Sequence, residues 1–177
     1  MRFARDARII AAAAGFAIAV SFAAPAAAMG DPPSPPPDKC KQFKEGSADW
    51  KRCKAATKHL EQDEASYARG YALAKAGQYA AALDVLRAVT NQADPRVQTM
   101  IGFSLRNLGL VDEAMAYYAA ALGTNPDLTT TRQYLGEAFL QKGDRAGAEA
   151  QLVEIARRCG TTCEDYTALA AALGRGN

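Results

Sequence analysis

Four cysteines and one histidine are the residues of this chain whose types best suit metal binding or covalent cross-linking. Structural zinc sites draw on closely paired Cys-x-x-Cys or Cys/His spacings. Here Cys40 and Cys53 stand thirteen residues apart, Cys159 and Cys163 stand four apart, and His59 is the lone imidazole. No metal is therefore expected. An even number of cysteines in a chain bound for an oxidising compartment forms disulfides instead. Of the possible pairings, Cys40 with Cys53 and Cys159 with Cys163 close the shortest loops. Catalytic signatures are equally sparse: the sequence holds no Gly-x-Ser-x-Gly, no phosphate-binding loop and no His-Glu-x-x-His. The chain is expected not to be an enzyme and to carry no cofactor.

The compartment is inferred from the first 28 residues. Arg2, Arg5 and Arg8 precede an apolar, alanine-dominated stretch from Ile9 to Ala24, and Ala26, Ala27 and Ala28 follow. This is the layout of a secretory signal, with cleavage expected after Ala28. The stretch is short for a retained membrane anchor and is interrupted by Pro25. A periplasmic or secreted product without stable membrane insertion is the expectation, and nucleic acid is not an expected partner. Removing the signal takes three arginines and one aspartate from totals of 21 basic and 19 acidic residues, leaving 18 of each. The remaining charge is uneven: residues 39–60 carry seven Lys/Arg against Glu45 and Asp49, and residues 61–177 carry eleven against fourteen acids.

Residues 29–38 include Asp31-Pro-Pro-Ser-Pro-Pro-Pro37, an extended linker because proline fixes φ and lacks a donor hydrogen. The segment 39–62 is basic and holds Cys40, Cys53 and the only tryptophan, Trp50, with Gly46 and Ser47 suiting a turn and a helix start. From Asp63 the pattern becomes helical and repetitive. Gly70, Gly102 and Gly136 correspond; so do Gly77, Gly109 and Gly143, and so do Ala82, Ala114 and Ala148, with steps of 32 and 34 residues. The small residues at the first and third sets permit close helix crossing within a hairpin, Gly102 against Ala114 and Gly136 against Ala148. The second set suits the left-handed residue that ends a helix. Asp94-Pro95 reads as an N-cap followed by proline at the first helical position, and Thr161-x-x-Glu164 reads as a capping box. Glu61 to Glu64 and Asp112-Glu113 read as acids near helix starts.

These residues resemble the tetratricopeptide repeat. The second unit, residues 95–128, matches at Gly102, Leu105, Gly109, Ala114, Tyr118, Ala121 and the closing Pro126. The third, from Thr129, is similar through Leu135, Gly136, Phe139, Gly143, Ala148, Leu152 and Ile155. The first, residues 63–94, departs most, with Arg69 at an ordinarily apolar position and a connection two residues shorter. The resemblance implies an all-α, right-handed solenoid of three helix-turn-helix hairpins with a capping helix over 63–173 and a tail at 174–177. The Cys159–Cys163 bridge would then staple the cap to the last repeat.

The resemblance also implies a concave groove lined by the first helix of each hairpin. Carried onto this chain, its positions are Glu64, Tyr67, Tyr71, Ala74 and Lys75, then Arg96, Thr99, Phe103, Arg106 and Asn107, then Thr130, Gln133, Glu137, Leu140 and Gln141. Aromatic and arginine side chains of this kind are common at binding hot spots. Aromatics at helical spacing equally serve as core, so Tyr71 and Phe103 admit either role. Tyr67 and Tyr71 replace the first positions of the clamp that some family members use for a carboxylate tail, so a chaperone-tail ligand is not expected. The implied function is a non-enzymatic scaffold that binds a segment of an envelope protein. The alternative is an accessory module whose basic segment 39–60 holds an anionic envelope polymer or lipid.

Overall fold

The structure, a computed structural model, describes residues 39–175. The expected signal, its cleavage site and the whole of the linker at 29–38 lie outside the described residues, and residues 38–177 form a compact unit of their own. A 3-10 turn at Lys39–Gln42 leads into seven α-helices: α1 (Ala48–Lys75), α2 (Tyr79–Arg87), α3 (Pro95–Asn107), α4 (Val111–Thr124), α5 (Thr129–Gln141), α6 (Arg145–Cys159) and α7 (Glu164–Arg175).

α1 begins where Gly46 turns at φ 80° and the Ser47 hydroxyl accepts the Trp50 amide at 3.1 Å. It then runs unbroken for 28 residues, on the order of 40 Å at 1.5 Å per residue. The boundary expected at 62/63 therefore falls inside one helix. No proline or glycine interrupts residues 48–69, so nothing in the chemistry of the backbone stops the helix there. Glu61 and Glu64 lie in mid-helix, correcting their expected place near a helix start.

α1 and α2, α3 and α4, and α5 and α6 pack as successive hairpins, and α7 packs on both α5 and α6. Each hairpin turns in the same way. Gly77 donates to the Ala74 carbonyl and Gln78 to Leu73; Gly109 to Arg106 and Leu110 to Leu105; Gly143 to Leu140 and Asp144 to Phe139. These paired bonds satisfy the last carbonyls of each first helix and require the left-handed φ of 77°, 83° and 77° at the three glycines.

Crossing within the hairpins follows the small residues. Ala82, Ala114 and Ala148 are fully buried, and a methyl on Gly102 would stand 2.6 Å from the Tyr118 ring and 3.1 Å from the Ala114 carbonyl oxygen. Gly70 makes the corresponding room for Leu86. Gly136 differs from expectation, because the atoms nearest to an added methyl belong to Leu169 of α7, at 2.6 Å, rather than to Ala148. The cap helix presses where another repeat would otherwise stand.

One apolar core runs from Ala74 through Leu86, Ile101, Leu105 and Tyr118 to Ala138; a second joins Ala148 and Ile155 to Leu169 and Leu173. Phe139 packs against both. The first hairpin has the shortest second helix: α2 has 9 residues where α4 has 14 and α6 has 15. Its connection to α3 is tied down by polar contacts. Asp63 accepts from the Thr90 and Asn91 amides at 2.8 and 3.3 Å, and the Gln92 amide donates to the Val89 carbonyl at 2.6 Å. These two amides hold the Asp63 carboxyl below its ordinary pKa, the Thr90 bond contributing most.

Both disulfides pair as the loop lengths suggested, Cys40 with Cys53 and Cys159 with Cys163, at Cα separations of 5.7 and 5.9 Å. The capping box does not form. α7 starts at Glu164, which makes Cys163, whose carbonyl accepts the Thr167 amide at 3.1 Å, the N-cap residue and places Thr161 two positions outside it.

Candidate functional site

The first helices α1, α3 and α5 present one continuous face, and two adjoining clefts open along it. The larger, about 380 Å³, is lined by Tyr71, Lys75, Phe103, Gln133, Tyr134 and Glu137, with Glu164, Asp165 and Ala168 of α7 and Thr130 at one side. The smaller, about 230 Å³, is lined by Tyr67, Tyr71, Arg96, Thr99, Thr131 and Tyr134 with Met100, Leu128 and Thr130. Tyr71, Thr130 and Tyr134 belong to both. Spacing along each helix explains the shared face: residues four apart, such as Tyr67 and Tyr71 or Gln133 and Glu137, project from one side.

An aromatic row forms the floor. Phe103 and Tyr134 meet with centroids 4.8 Å apart, Tyr67 and Tyr71 at 6.3 Å, and Tyr79 closes on Phe103 from behind at 6.0 Å. Tyr71 keeps 43% of its surface exposed, and Tyr67 and Phe103 are half-buried. Tyr71 is thus groove surface, while Phe103 serves both groove and core. Burial raises the hydroxyl pKa of Tyr67 and Tyr134, so both stay neutral hydrogen-bonding groups.

The charged positions are more tightly held than the sequence implied. The Arg96 guanidinium lies 4.7 Å over the Tyr67 ring, donates to both oxygens of Glu64 at 3.1 and 3.0 Å, and reaches Asp94 at 2.8 Å. Those carboxylates hold it charged, and the Arg96 bond in turn keeps the Asp94 carboxyl below its ordinary value. Arg106 is only 8% exposed; it pairs with Glu137 at 2.6 Å and stacks near Phe103 and Tyr134. It supports the floor from beneath. Lys75 extends its ammonium over Phe103 at 5.5 Å from the cleft side.

Other positions fall away from the clefts. Ala74, at 1% exposure, is core and not lining, because its place on α1 faces the α2 crossing. Asn107 caps its own helix by donating to the Phe103 carbonyl at 2.8 Å. Gln141 and Leu140 border a separate shallow depression with Arg106, Glu137 and Ala172. Thr99, by contrast, does line the smaller cleft, though it is largely buried, and its hydroxyl bonds Thr131 at 2.7 Å, joining α3 to α5.

Sequence reasoning passed over Tyr134 and the α7 side. Tyr134 follows Gln133 directly on α5, yet only packing shows that a ring one position along reaches both clefts. For α7, the signal was the disulfide: a bridge of four residues holds Glu164 beside the end of α6, and Asp165 then accepts from Thr130 at 3.2 Å. The arrangement offers an open, aromatic-floored trough with a charged rim, suited to holding a polypeptide segment.

Comparison with known proteins agrees with this architecture. Residues 95–128 match the tetratricopeptide repeat model. No curated protein sequence matches the chain. Among solved structures, the type III secretion translocator chaperone SycD of Yersinia enterocolitica is similar at 22% identity over 66% of this chain and 90% of that one, with a TM-score of 0.58. PcrH in complex with the chaperone binding region of PopB is similar at 24% identity over 66% and 95%, with a TM-score of 0.55. SycD in complex with a peptide of the translocator YopD is similar at 21% identity over 64% and 87%, also at 0.55. These likenesses concern the fold. With one repeat matched by sequence at residues 95–128 and the helical hairpins matched in space, the chain carries a tetratricopeptide repeat within a fold of stacked helical hairpins.

Proposed function

We propose that the protein is a non-enzymatic scaffold whose concave face binds a segment of a partner protein, working in the bacterial envelope. The observation that carries this reading is the pair of clefts sharing Tyr71 and Tyr134 along three consecutive first helices. A continuous aromatic floor with polar edges takes an extended or helical segment through apolar anchors and fixes its register through the rim. Two structural neighbours support the choice of a protein ligand, since PcrH is seen with a region of PopB and SycD with a peptide of YopD. The envelope location rests on the signal-like N-terminus and on cysteines placed to form two bridges.

A photocrosslinking residue placed at Tyr71 in living cells is expected to yield a discrete protein adduct, while the same residue at exposed Val153 on α6 yields none. The adduct should disappear when Phe103 is changed to Ala in the same chain. Equal crosslinking from Tyr71 and Val153 would remove the groove reading. Fractionation of the cells in the same experiment tests the location: recovery in the cytoplasm would overturn the envelope assignment alone.

A further inference from the structure

The N-terminal half of α1 stands outside the solenoid core. From residue 48 to 62 every side chain is exposed except Trp50, Cys53 and Thr57, which are half-buried. Those three turn toward the 3-10 segment: Cys53 is bonded to the fully buried Cys40, and Thr57 lies 3.6 Å from the Cys40 sulfur. The disulfide therefore holds the 3-10 turn against a stretch of helix that the repeats do not bury.

What this corner displays is charge of one sign beside two aromatic rings. Lys39, Lys41, Lys44, Lys51, Lys54 and Lys58, with Arg52, are all exposed. Against these seven stand Glu45 and Asp49, a net of five positive charges, and the Asp49 carboxylate is taken by Arg52. A helix flank that merely faces water tends to alternate signs, which gains pairing energy; this one does not. Phe43 and Trp50 line an open cleft with Lys41, Lys54 and Glu45, and the Lys54 ammonium sits 5.8 Å over the Trp50 ring.

We propose that this corner docks on an anionic lipid surface, its lysines meeting headgroup phosphates while Trp50 and Phe43 rest at headgroup level. Tryptophan prefers the membrane–water interface, and lysine stems lie along apolar surface with the ammonium in the polar layer. Clustered lysines are drawn to anionic lipid with a strength that grows with their number. Because Cys40–Cys53 fixes the turn to the helix, cations from both elements face outward together. A soluble sugar polymer fits less well, because no side-chain amide or hydroxyl lines the cleft to read sugar hydroxyls. The site is distinct from the groove and would let the repeats present a partner near a membrane surface.

The test uses residues 29–177, which retain the compact unit and omit an apolar stretch with its own arginines. Trp50 is the only tryptophan, so its emission reports this corner alone. With phosphatidylglycerol–phosphatidylcholine vesicles, co-sedimentation and a blue shift are expected; with phosphatidylcholine alone, neither. Raising salt from 0.1 to 1 M, which shortens the screening length from about 10 to about 3 Å, should abolish both. The Lys51→Gln/Arg52→Gln/Lys54→Gln variant should lose at least about tenfold in partitioning with unchanged far-UV circular dichroism. Lys39→Gln/Lys41→Gln/Lys44→Gln should weaken it from the other element, and Tyr71→Ala should bind vesicles as the parent does, separating this proposal from the groove. Absence of binding, equal binding to neutral vesicles, or binding to soluble dextran sulfate without vesicle binding would each overturn it.

Discussion

Arg106 of α3 and Glu137 of α5 form an ion pair at 2.6 Å beneath the Phe103 and Tyr134 rings, joining the second hairpin to the third under the groove floor. Arg106 is 8% exposed and Glu137 24%, so the pair is largely withdrawn from water. Glu137 also accepts from Gln133 at 2.8 Å. Removing one partner of such a pair strands the other. Glu137→Ala is expected to lower unfolding free energy by at most about 3 kcal/mol, below the range for fully buried pairs because Glu137 retains some solvent. The Arg106→Met/Glu137→Leu double variant should recover much of that loss, and urea denaturation of the two checks both.

The two repeat glycines should respond differently to alanine. At Gly102 a methyl would meet the fully buried Tyr118 ring and a backbone oxygen. Overpacking of this kind costs about 1–3 kcal/mol. At Gly136 the nearest atoms are the methyls of Leu169, the far end of a flexible side chain, with no backbone atom among the nearest, while alanine gains up to about 1 kcal/mol of helix propensity over glycine. Gly136→Ala is expected to be near neutral in thermal denaturation and Gly102→Ala clearly destabilising.

The Cys159–Cys163 bridge holds α7 where it borders the groove. Terminal elements of a solenoid have one neighbour only and open first. Closing so short a loop contributes about 2 kcal/mol in the chain-entropy account. Cys159→Ser should lower the thermal midpoint and raise amide exchange in 164–175 before it does so in α3. An unchanged midpoint would remove the stapling role.

Asp94 provides a pH test with a defined sign. Its side chain accepts the Arg96 amide at 2.8 Å at the head of α3, and the Arg96 bond lowers its pKa below the ordinary 3.8. A depressed carboxylate pKa stabilises the fold above the unfolded value and loses that contribution as pH falls through the folded one. Asp94→Asn, which keeps a capping oxygen, should therefore flatten the stability profile below pH 3.8 while leaving the helix start intact. Asp94→Ala should cost about 1 kcal/mol at neutral pH, because the cap itself is lost.

Much of the repeat framework could be read from residues whose roles are local. Gly77, Gly109 and Gly143 end their helices because only the short-range φ preference matters there, and Asp94-Pro95 starts α3 for the same kind of reason. The groove was legible as a face, since helical spacing puts Tyr67 beside Tyr71 and Gln133 beside Glu137. It was not legible as a surface. Whether Ala74, Arg106 or Tyr134 meets a cleft or the core depends on which neighbouring helix covers it, and that is a matter of packing between residues about thirty apart.

The sequence by itself determined the period of the array, the turns between its helices and the placement of cysteines at both ends, because each rests on local conformational preference or on spacing. Tertiary structure decided the rest. It made the basic segment and the first repeat one helix, since no breaking residue separates them. It turned Arg96 and Arg106 from free groove cations into inter-helix ties, since carboxylates from other helices lie within reach. It also brought α7 to the groove wall, since the last repeat leaves an apolar face that Leu169 and Leu173 must cover.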